Sequence, residues 1–129
     1  MTTKKTLKQS IIEVSPELMA KIINLSEGHK YTVDSHLYYE GQTPIVAYLL
    51  IAGEASLVKK RRKTIPIRRG SIFGLKELIQ NEKSIYGAVI KSHSEVCFLD
   101  RSLINEIENL DKDHELKEIL SKVKNQHAS

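Results

Sequence analysis

The spacing of hydrophobic residues between positions 30 and 100 most limits what this chain can fold into. Short runs rich in β-branched and aromatic residues recur there, with turn-forming residues between them, which is typical of a β-sandwich or β-barrel. The eight runs are residues 31–33, 36–39, 46–52, 55–59, 64–67, 71–73, 88–91 and 95–100. We therefore expect an eight-stranded, jelly-roll-like β-roll, with the strand that contains Pro66 at an edge because proline lacks a backbone N–H.

Helical periodicity flanks the β-rich region on both sides. Ser15 and Pro16 predict a helix start, and Gly28 predicts its stop. After Asp100, apolar residues recur at helical spacing in two stripes, which are Leu103, Ile107 and Leu110, and then Leu116, Ile119, Leu120 and Val123. We expect a flexible segment over 1–14 and a single domain over 15–129, with the β-roll at about 30–100 and C-terminal helices at about 101–125.

Composition fits one folded domain in the cytoplasm. The 129 residues are 40% hydrophobic and 28% charged, which is near the globular average. The longest apolar run, residues 45–52, is far shorter than the roughly 20 residues that cross a bilayer. The lysines near the N-terminus are not followed by the apolar stretch of a signal peptide. The single cysteine, Cys97, cannot form an intramolecular disulfide and is expected to be packed in a strand.

Positive charge is concentrated in one strip at residues 59–69. It contains seven basic residues and no acidic one: Lys59, Lys60, Arg61, Arg62, Lys63, Arg68 and Arg69. The rest of the chain carries 13 basic and 16 acidic residues, a net charge of −3. Such a strip can attract an acidic protein surface, nucleic acid or anionic lipid. Alternatively, its charges keep an exposed edge strand from aggregating.

Residues that catalyse reactions or bind metals do not cluster in the sequence. The five histidines form no pair at metal-ligand spacing and do not group with Cys97. The sequence has no GxSxG elbow, phosphate-binding P-loop or dinucleotide fingerprint. We therefore expect no enzymatic activity, no metal and no cofactor.

Three stretches carry a resemblance to a known family: YYEGQTPIVAYLLIAGEASLV, IPIRRGSIFGLKELI and GAVIKSHSEVCFLDRSLINEI. Over roughly residues 28–125 the chain resembles the cyclic-nucleotide-binding domain of bacterial catabolite-activator-type regulators, kinase regulatory subunits and gated channels. The resemblance places Gly41 and Gly53 at hairpin turns. It places Gly70 before the phosphate-binding cassette and Gly74 at the start of the cassette's short helix.

The resemblance also implies two ligand-binding residues that this sequence lacks. The family's glutamate, which binds the ribose hydroxyl, falls on Leu75, and its phosphate-binding arginine falls on Ser84. Losing the charge partner of a buried phosphate should cost about 2–5 kcal/mol, and losing the glutamate contact about 1–3 kcal/mol more. Tyr86 could fill the space of a nucleotide. The candidate residues of this degenerate pocket are Gly74, Leu75, Lys76, Glu77, Lys83, Ser84, Ile85 and Tyr86. Glu77, Glu82 and Lys83 could compensate in part for the two missing residues, and Lys76 flanks the cassette helix.

The sequence therefore predicts a stand-alone regulatory or interaction module that acts through protein contacts. The expected partner is a signalling or output protein with an acidic surface. The candidate partner-binding residues are the basic strip and the stripe Leu116, Ile119, Leu120 and Val123, which either packs on its own barrel or forms a homodimer contact.

Two alternatives stay open. One is a sensor of a cyclic mononucleotide or of a cyclic dinucleotide, whose two phosphates would suit Arg61, Arg62, Arg68 and Arg69. The other is an electrostatic nucleic-acid or membrane-surface binder. Nucleic acid is the less favoured partner because aromatic residues, at 5%, offer little base stacking. The resembling regulators also bind DNA through a further domain, for which we expect no room in 129 residues.

Overall fold

A computed structural model of the protein describes residues 10–60, 63–110 and 114–127. This part of the chain forms nine strands and four helices. In chain order they are β1 (Ile11–Glu13), α1 (Pro16–Leu25), β2 (Gly28–Lys30), β3 (Ser35–Tyr38), β4 (Ala47–Ala52), β5 (Ala55–Lys59), β6 (Lys63–Ile67), β7 (Ser71–Phe73), α2 (Leu75–Gln80), β8 (Gly87–Ile90), β9 (Glu95–Leu99), α3 (Arg101–Leu110) and α4 (Glu115–His127).

The strands form two antiparallel sheets. One has the order β1-β7-β4-β9-β2, and the other has the order β3-β8-β5-β6. This confirms the expected β-roll with flanking helices, although the described residues contain nine strands and not eight. It also confirms the edge position of Pro66, because β6 is the last strand of its sheet and pairs on one side with β5.

Two parts of the sequence prediction are wrong at the N-terminal end. Residues 11–13, expected to be flexible, form β1 and pair with β7, where Ile11 lies opposite Phe73. Residues 31–33 are not a strand, because pairing with β9 begins earlier, at Gly28. A Cβ at Gly28 would lie 2.3 Å from Glu95 Oε2, so the Glu95 side chain packs closely over this glycine. Gly28 therefore belongs to β2 and does not stop the helix.

Helix α1 begins where the sequence predicted. The Ser15 hydroxyl accepts a hydrogen bond from the Leu18 N–H at 3.1 Å, and Pro16 occupies the first turn. The Ser15 N–H and hydroxyl both donate to the Glu115 carboxylate at the start of α4. The same serine thus caps one helix and connects it to another.

Alternation along the five-stranded sheet divides the core in two. In β4, Leu49 faces a cluster that the helices cover, whereas Tyr48 and Leu50 face the interior between the sheets. Cys97 is buried on the helix side, as expected for a packed cysteine, and burial raises the pKa of its thiol. The cassette region lies where the two halves of the core meet.

Candidate functional site

Gly74 forms the turn between β7 and α2 and so places the cassette segment, which we define as residues 74–86. Its φ of 82° is in the left-handed region, which glycine adopts without strain. A Cβ at this position would lie 3.5 Å from Cε2 of Tyr38. The turn and the ring of Tyr38 are therefore in close contact, and this brings β3 against the start of α2.

Leu75 and Glu77 face different parts of the core. Leu75 is buried in the cluster that the helices cover, together with Leu78. Glu77 is 4% exposed, and its Oε1 has no hydrogen-bond partner within the described part of the chain. Burial raises the pKa of Glu77. To smaller extents, a hydrogen bond from its own backbone N–H and the charge of Lys76 lower this pKa, and the charge of Glu82 raises it. The Glu77 carboxylate also interacts with Tyr38, which belongs to the interior cluster.

Lys76 and Lys83 flank the buried carboxylate without pairing with it. The Lys76 ammonium donates to Glu82 Oε1 in a partly exposed ion pair. Lys83 is exposed on the surface. Neither lysine is therefore placed as a ready partner for an anion inside the roll.

Ser84 is buried and uses its polar atoms within its own surroundings. Its hydroxyl donates to the Tyr86 carbonyl at 2.6 Å and accepts from the Tyr86 N–H at 3.2 Å. Its backbone N–H donates to the Gln42 carbonyl, and its carbonyl accepts from the Gly41 N–H, both at 2.8 Å. The single hydroxyl proton of Ser84 is therefore already engaged.

Aromatic rings fill the roll interior beside Ser84. Tyr86 is 6% exposed and belongs to the same buried cluster as Tyr38, Tyr48 and Phe73. Ring centroids are 5.9 Å apart for Tyr38 and Tyr48, and 5.5 Å apart for Tyr48 and Phe73. The Lys59 ammonium lies 5.9 Å from the centroid of the Tyr86 ring. The two ring–ring distances are those of packed aromatic pairs.

The phenol groups of Tyr38 and Tyr48 hold their protons more tightly than a free tyrosine does. Burial, followed by interaction with Glu77 and Tyr48, raises the pKa of Tyr38 far above its ordinary value, and the nearby Ser84 hydroxyl lowers it to a smaller extent. Burial raises the pKa of Tyr48 to about 12. Tyr38 therefore lies beside both Glu77 and Ser84 and connects the two halves of the cassette segment.

Sequence reasoning missed Tyr38, Tyr48 and Phe73 as members of this site. Their strands were predicted, but which face of each strand points inward depends on pairing between strands distant in sequence. Alternation in HLYY predicts that one of Tyr38 and Tyr39 is buried, but it does not identify which one. In the structure Tyr38 pairs with Ala88, and it is the buried tyrosine of the two.

The described residues of the basic strip lie at both ends of the β5–β6 hairpin. Lys59 pairs with Lys63 at one end of the β5–β6 hairpin, and Ile67 pairs with Ala55 at the other. Arg68 and Arg69 follow Ile67. Because β6 is extended and begins at Lys63, Arg68 lies roughly 16 Å from Lys63 along the strand. Arg61 and Arg62 lie outside the described residues.

Each basic group has its own surroundings. Lys59 and Lys60 are exposed, and the Lys60 N–H donates to Glu40 Oε1 at 3.2 Å. Arg68 lies 3.7 Å from Glu13, and Arg69 Nε donates to the Ile51 carbonyl at 2.9 Å. Arg68 and Arg69 lie at the end of β6 opposite Lys63. That Arg61 and Arg62 join them in holding a cyclic dinucleotide stays a prediction, because those two residues lie outside the described part of the chain.

The apolar stripe of α4 packs on its own domain. Leu116, Leu120 and Val123 are buried and Ile119 is partly buried, against a core that α2 helps to form. Of the two alternatives predicted for this stripe, the burial of three of its side chains within a single copy of the chain favours packing on its own domain, and a homodimer contact stays a prediction.

Within residues 10–60, 63–110 and 114–127, His, Cys, Asp and Glu side chains form no group of three that could hold a metal ion. The same residues include no helix that is both long and apolar enough to span a bilayer.

Comparison with known proteins identifies the fold. No model of a protein family matches the chain, and no curated protein matches it. A protein from a cyclic-GMP-dependent signalling pathway that regulates bacterial phytopathogenesis superposes with a TM-score of 0.74 at 13% identity, over 90% of this chain and 94% of that one. The catabolite activator protein of Thermus thermophilus superposes with a TM-score of 0.67 at 18% identity, over 89% of this chain and 55% of that one.

A third solved structure agrees with these two. A cyclic nucleotide-binding-like protein from Brucella abortus superposes with a TM-score of 0.54 at 24% identity, over 74% of this chain and 85% of that one. The chain therefore has the fold of cyclic-nucleotide-binding domains, which confirms the resemblance found in the sequence as a resemblance of fold.

Proposed function

We propose that this chain is a regulatory module with the cyclic-nucleotide-binding fold that binds neither cAMP nor cGMP and acts by contacting another protein. The observation that carries this proposal is the burial of Ser84 and Tyr86 in the roll interior. Tyr86 belongs to the same buried cluster as Tyr38, which supports the proposal that these rings take the volume a nucleotide would need.

The chemistry of the segment supports the same conclusion. A cyclic phosphate that leaves water needs a charged donor, and a guanidinium supplies two parallel hydrogen bonds. Ser84 offers one neutral hydroxyl proton, which the Tyr86 carbonyl already accepts. Absence of the charge partner should cost about 2–5 kcal/mol, or roughly two to four decades of affinity.

The Glu77 carboxylate adds a further obstacle to an anion. It lies beside Tyr38, and the two interact electrostatically. In its ionised form it would repel a phosphate that entered next to Ser84, since like charges interact strongly where water is excluded. Lys76, the nearest cation in sequence, is instead paired with Glu82.

Calorimetric titration with cAMP, cGMP and cyclic di-GMP tests the proposal. We expect no saturable heat with any of the three at submillimolar ligand. A micromolar dissociation constant for cAMP or cGMP would refute it. Circular dichroism of the same sample establishes that the protein is folded, so that an absent signal has a clear meaning.

A designed gain of binding gives a second test. Ser84→Arg supplies the missing guanidinium but leaves the volume filled, and Tyr86→Ala opens the volume without supplying charge. We expect measurable cAMP binding only when both substitutions are combined. If Tyr86→Ala alone binds cAMP as well as the double variant does, then missing charge is not what prevents binding.

One observation favours a second candidate function, a small-ligand sensor. Glu77 Oε1 is a buried oxygen with no partner in the described residues, and a hydroxyl group of a ligand could donate to it. The same titrations distinguish the two functions. Binding that Glu77→Gln abolishes would support the sensor.

A further inference from the structure

Three of the exposed large apolar side chains lie near one end of the four-stranded sheet. Tyr39 is 56% exposed, Ile45 is 85% exposed and Ile85 is 47% exposed. We call these three residues the rim. Isolated exposed apolar residues are normal, but several in adjoining segments are typical of interaction sites.

Hydrogen bonds join the segment that precedes Ile85 to the turn that follows Tyr39. Ser84, which directly precedes Ile85, bonds through its backbone to both Gly41 and Gln42. The Tyr39 N–H donates to Gln42 Oε1 at 2.7 Å, which closes the turn over 39–42. Ile45 follows Gln42 by three residues, so their Cα atoms are at most about 11 Å apart.

The tip of the β5–β6 hairpin adjoins the rim and is basic. The Lys60 N–H bonds to Glu40, which directly follows Tyr39, and the Lys59 ammonium lies over the ring of Tyr86, which directly follows Ile85. Both lysines are exposed, and we define the hairpin tip by these two residues. Glu40 is the acidic residue fixed at this junction.

We propose that the rim and the hairpin tip together bind an acidic peptide segment of a partner protein, which places its apolar side chains on the rim and its carboxylates against the lysines. This rests on the proposed function and assigns the protein contact to defined residues. Opposite charge would attract the segment, and desolvation of apolar side chains at the centre would hold it.

Two features favour a peptide over an anionic bilayer. The ring of Tyr39 stacks on His36 with centroids 4.4 Å apart, so it offers a fixed flat surface that loses little freedom on binding. The Glu40 carboxylate lies between the apolar and basic parts. Anionic lipid would press further negative charge against it, whereas a peptide can leave it in water.

Selection from a display library of random peptides, with the purified chain as bait, tests the inference. We expect enriched peptides to carry Asp or Glu next to an apolar residue, and we measure the affinity of synthetic copies by fluorescence anisotropy. Ile45→Ser should weaken binding about tenfold, since it removes most of an apolar side chain that the bound peptide would cover. Lys60→Glu should weaken binding and reduce its dependence on salt.

Matched controls lie elsewhere on the surface. Val33 is 65% exposed and lies before β3, at the opposite end of that strand from Tyr39, so Val33→Ser should leave peptide binding unchanged. Lys117 is exposed on α4, and Lys117→Glu changes the net charge as much as Lys60→Glu does. Equal losses in controls and rim variants would refute the assignment.

Other outcomes decide against the inference in distinct ways. Enriched peptides without an excess of acidic residues would refute the charge argument. Binding to phosphatidylglycerol vesicles that Ile45→Ser abolishes, with no peptide enriched, would assign the rim to lipid. Titration of cAMP on the same variants separates the two proposals. Nucleotide binding refutes the proposed function, and unchanged peptide binding by Ile45→Ser and Lys60→Glu refutes the rim.

Discussion

Replacing Glu77 by glutamine should stabilise the protein at neutral pH. The wild-type carboxylate is 4% exposed and leaves Oε1 without a partner in the described residues. Glutamine keeps the shape of the side chain and removes the charge. The amide is also a buried polar group, so what the substitution removes is the additional cost of desolvating a charge, and we expect the free energy of unfolding at pH 7 to rise by about 1 kcal/mol or more.

The pH dependence of this effect has a definite sign. Burial raises the pKa of Glu77 in the folded state above its unfolded value of 4.5. The folded state therefore holds this proton more tightly, and the contribution of Glu77 to stability is lost as pH rises from 4.5 through the raised pKa. The gain from Glu77→Gln should accordingly be smallest below pH 4.5 and grow toward neutral pH.

Urea unfolding at a series of pH values measures the difference directly. Far-ultraviolet circular dichroism is the suitable signal because the chain contains no tryptophan. Glu106→Gln on α3 is the control, since Glu106 is exposed and should show neither the gain nor the pH dependence. A Glu77→Gln variant that is less stable than wild type at pH 7, by an amount independent of pH, would refute the reasoning and show that the carboxylate has a partner.

Two further predictions concern the turns and the C-terminal helix. Gly53 and Gly41 both have a φ of 88°, but a Cβ at Gly53 would lie 2.6 Å from the Ser94 Cα, whereas nothing lies within 4 Å of one at Gly41. Gly41→Ala should therefore lower stability by about 1–2 kcal/mol from backbone strain alone, and Gly53→Ala by clearly more; equal losses in thermal unfolding would contradict the steric account. Leu116→Ala should lower the free energy of unfolding by about 2–5 kcal/mol, because Leu116 is fully buried, and it should not change the sedimentation coefficient. A variant that is as stable as wild type but sediments differently would indicate that α4 contacts another copy of the chain.

Local patterns sufficed for much of the fold. Ser15 and Pro16 start α1 as predicted, because capping depends on neighbours in sequence. Strand β1 was missed because three residues carry little periodicity, and what orders them is pairing with β7, some 60 residues away. The strip at 59–69 was predicted as one patch because a charge count takes no account of β6, whose extended backbone separates its two ends.

The candidate site was harder to predict because it depends on how one short helix is oriented. The family resemblance places Leu75 at the position of a ligand-binding glutamate. In the fold, Leu75 joins the core under the helices and Glu77 lies beside Tyr38 instead. The segment LKELI does not by itself determine whether Leu75 or Glu77 faces the roll interior. The orientation of α2 also depends on its packing against α4, which is distant in sequence.

The glycines that revealed the fold have structural reasons that need no ligand. Gly74 turns the chain into α2 with a positive φ and lies against the ring of Tyr38, and Gly53 lies where the Ser94 backbone leaves no room for a side chain. These requirements hold whether the roll interior contains a nucleotide or the ring of Tyr86. A pattern of turn glycines therefore predicts the fold of cyclic-nucleotide-binding domains, while the proposed loss of nucleotide binding rests on residues such as Ser84, which the pattern does not include.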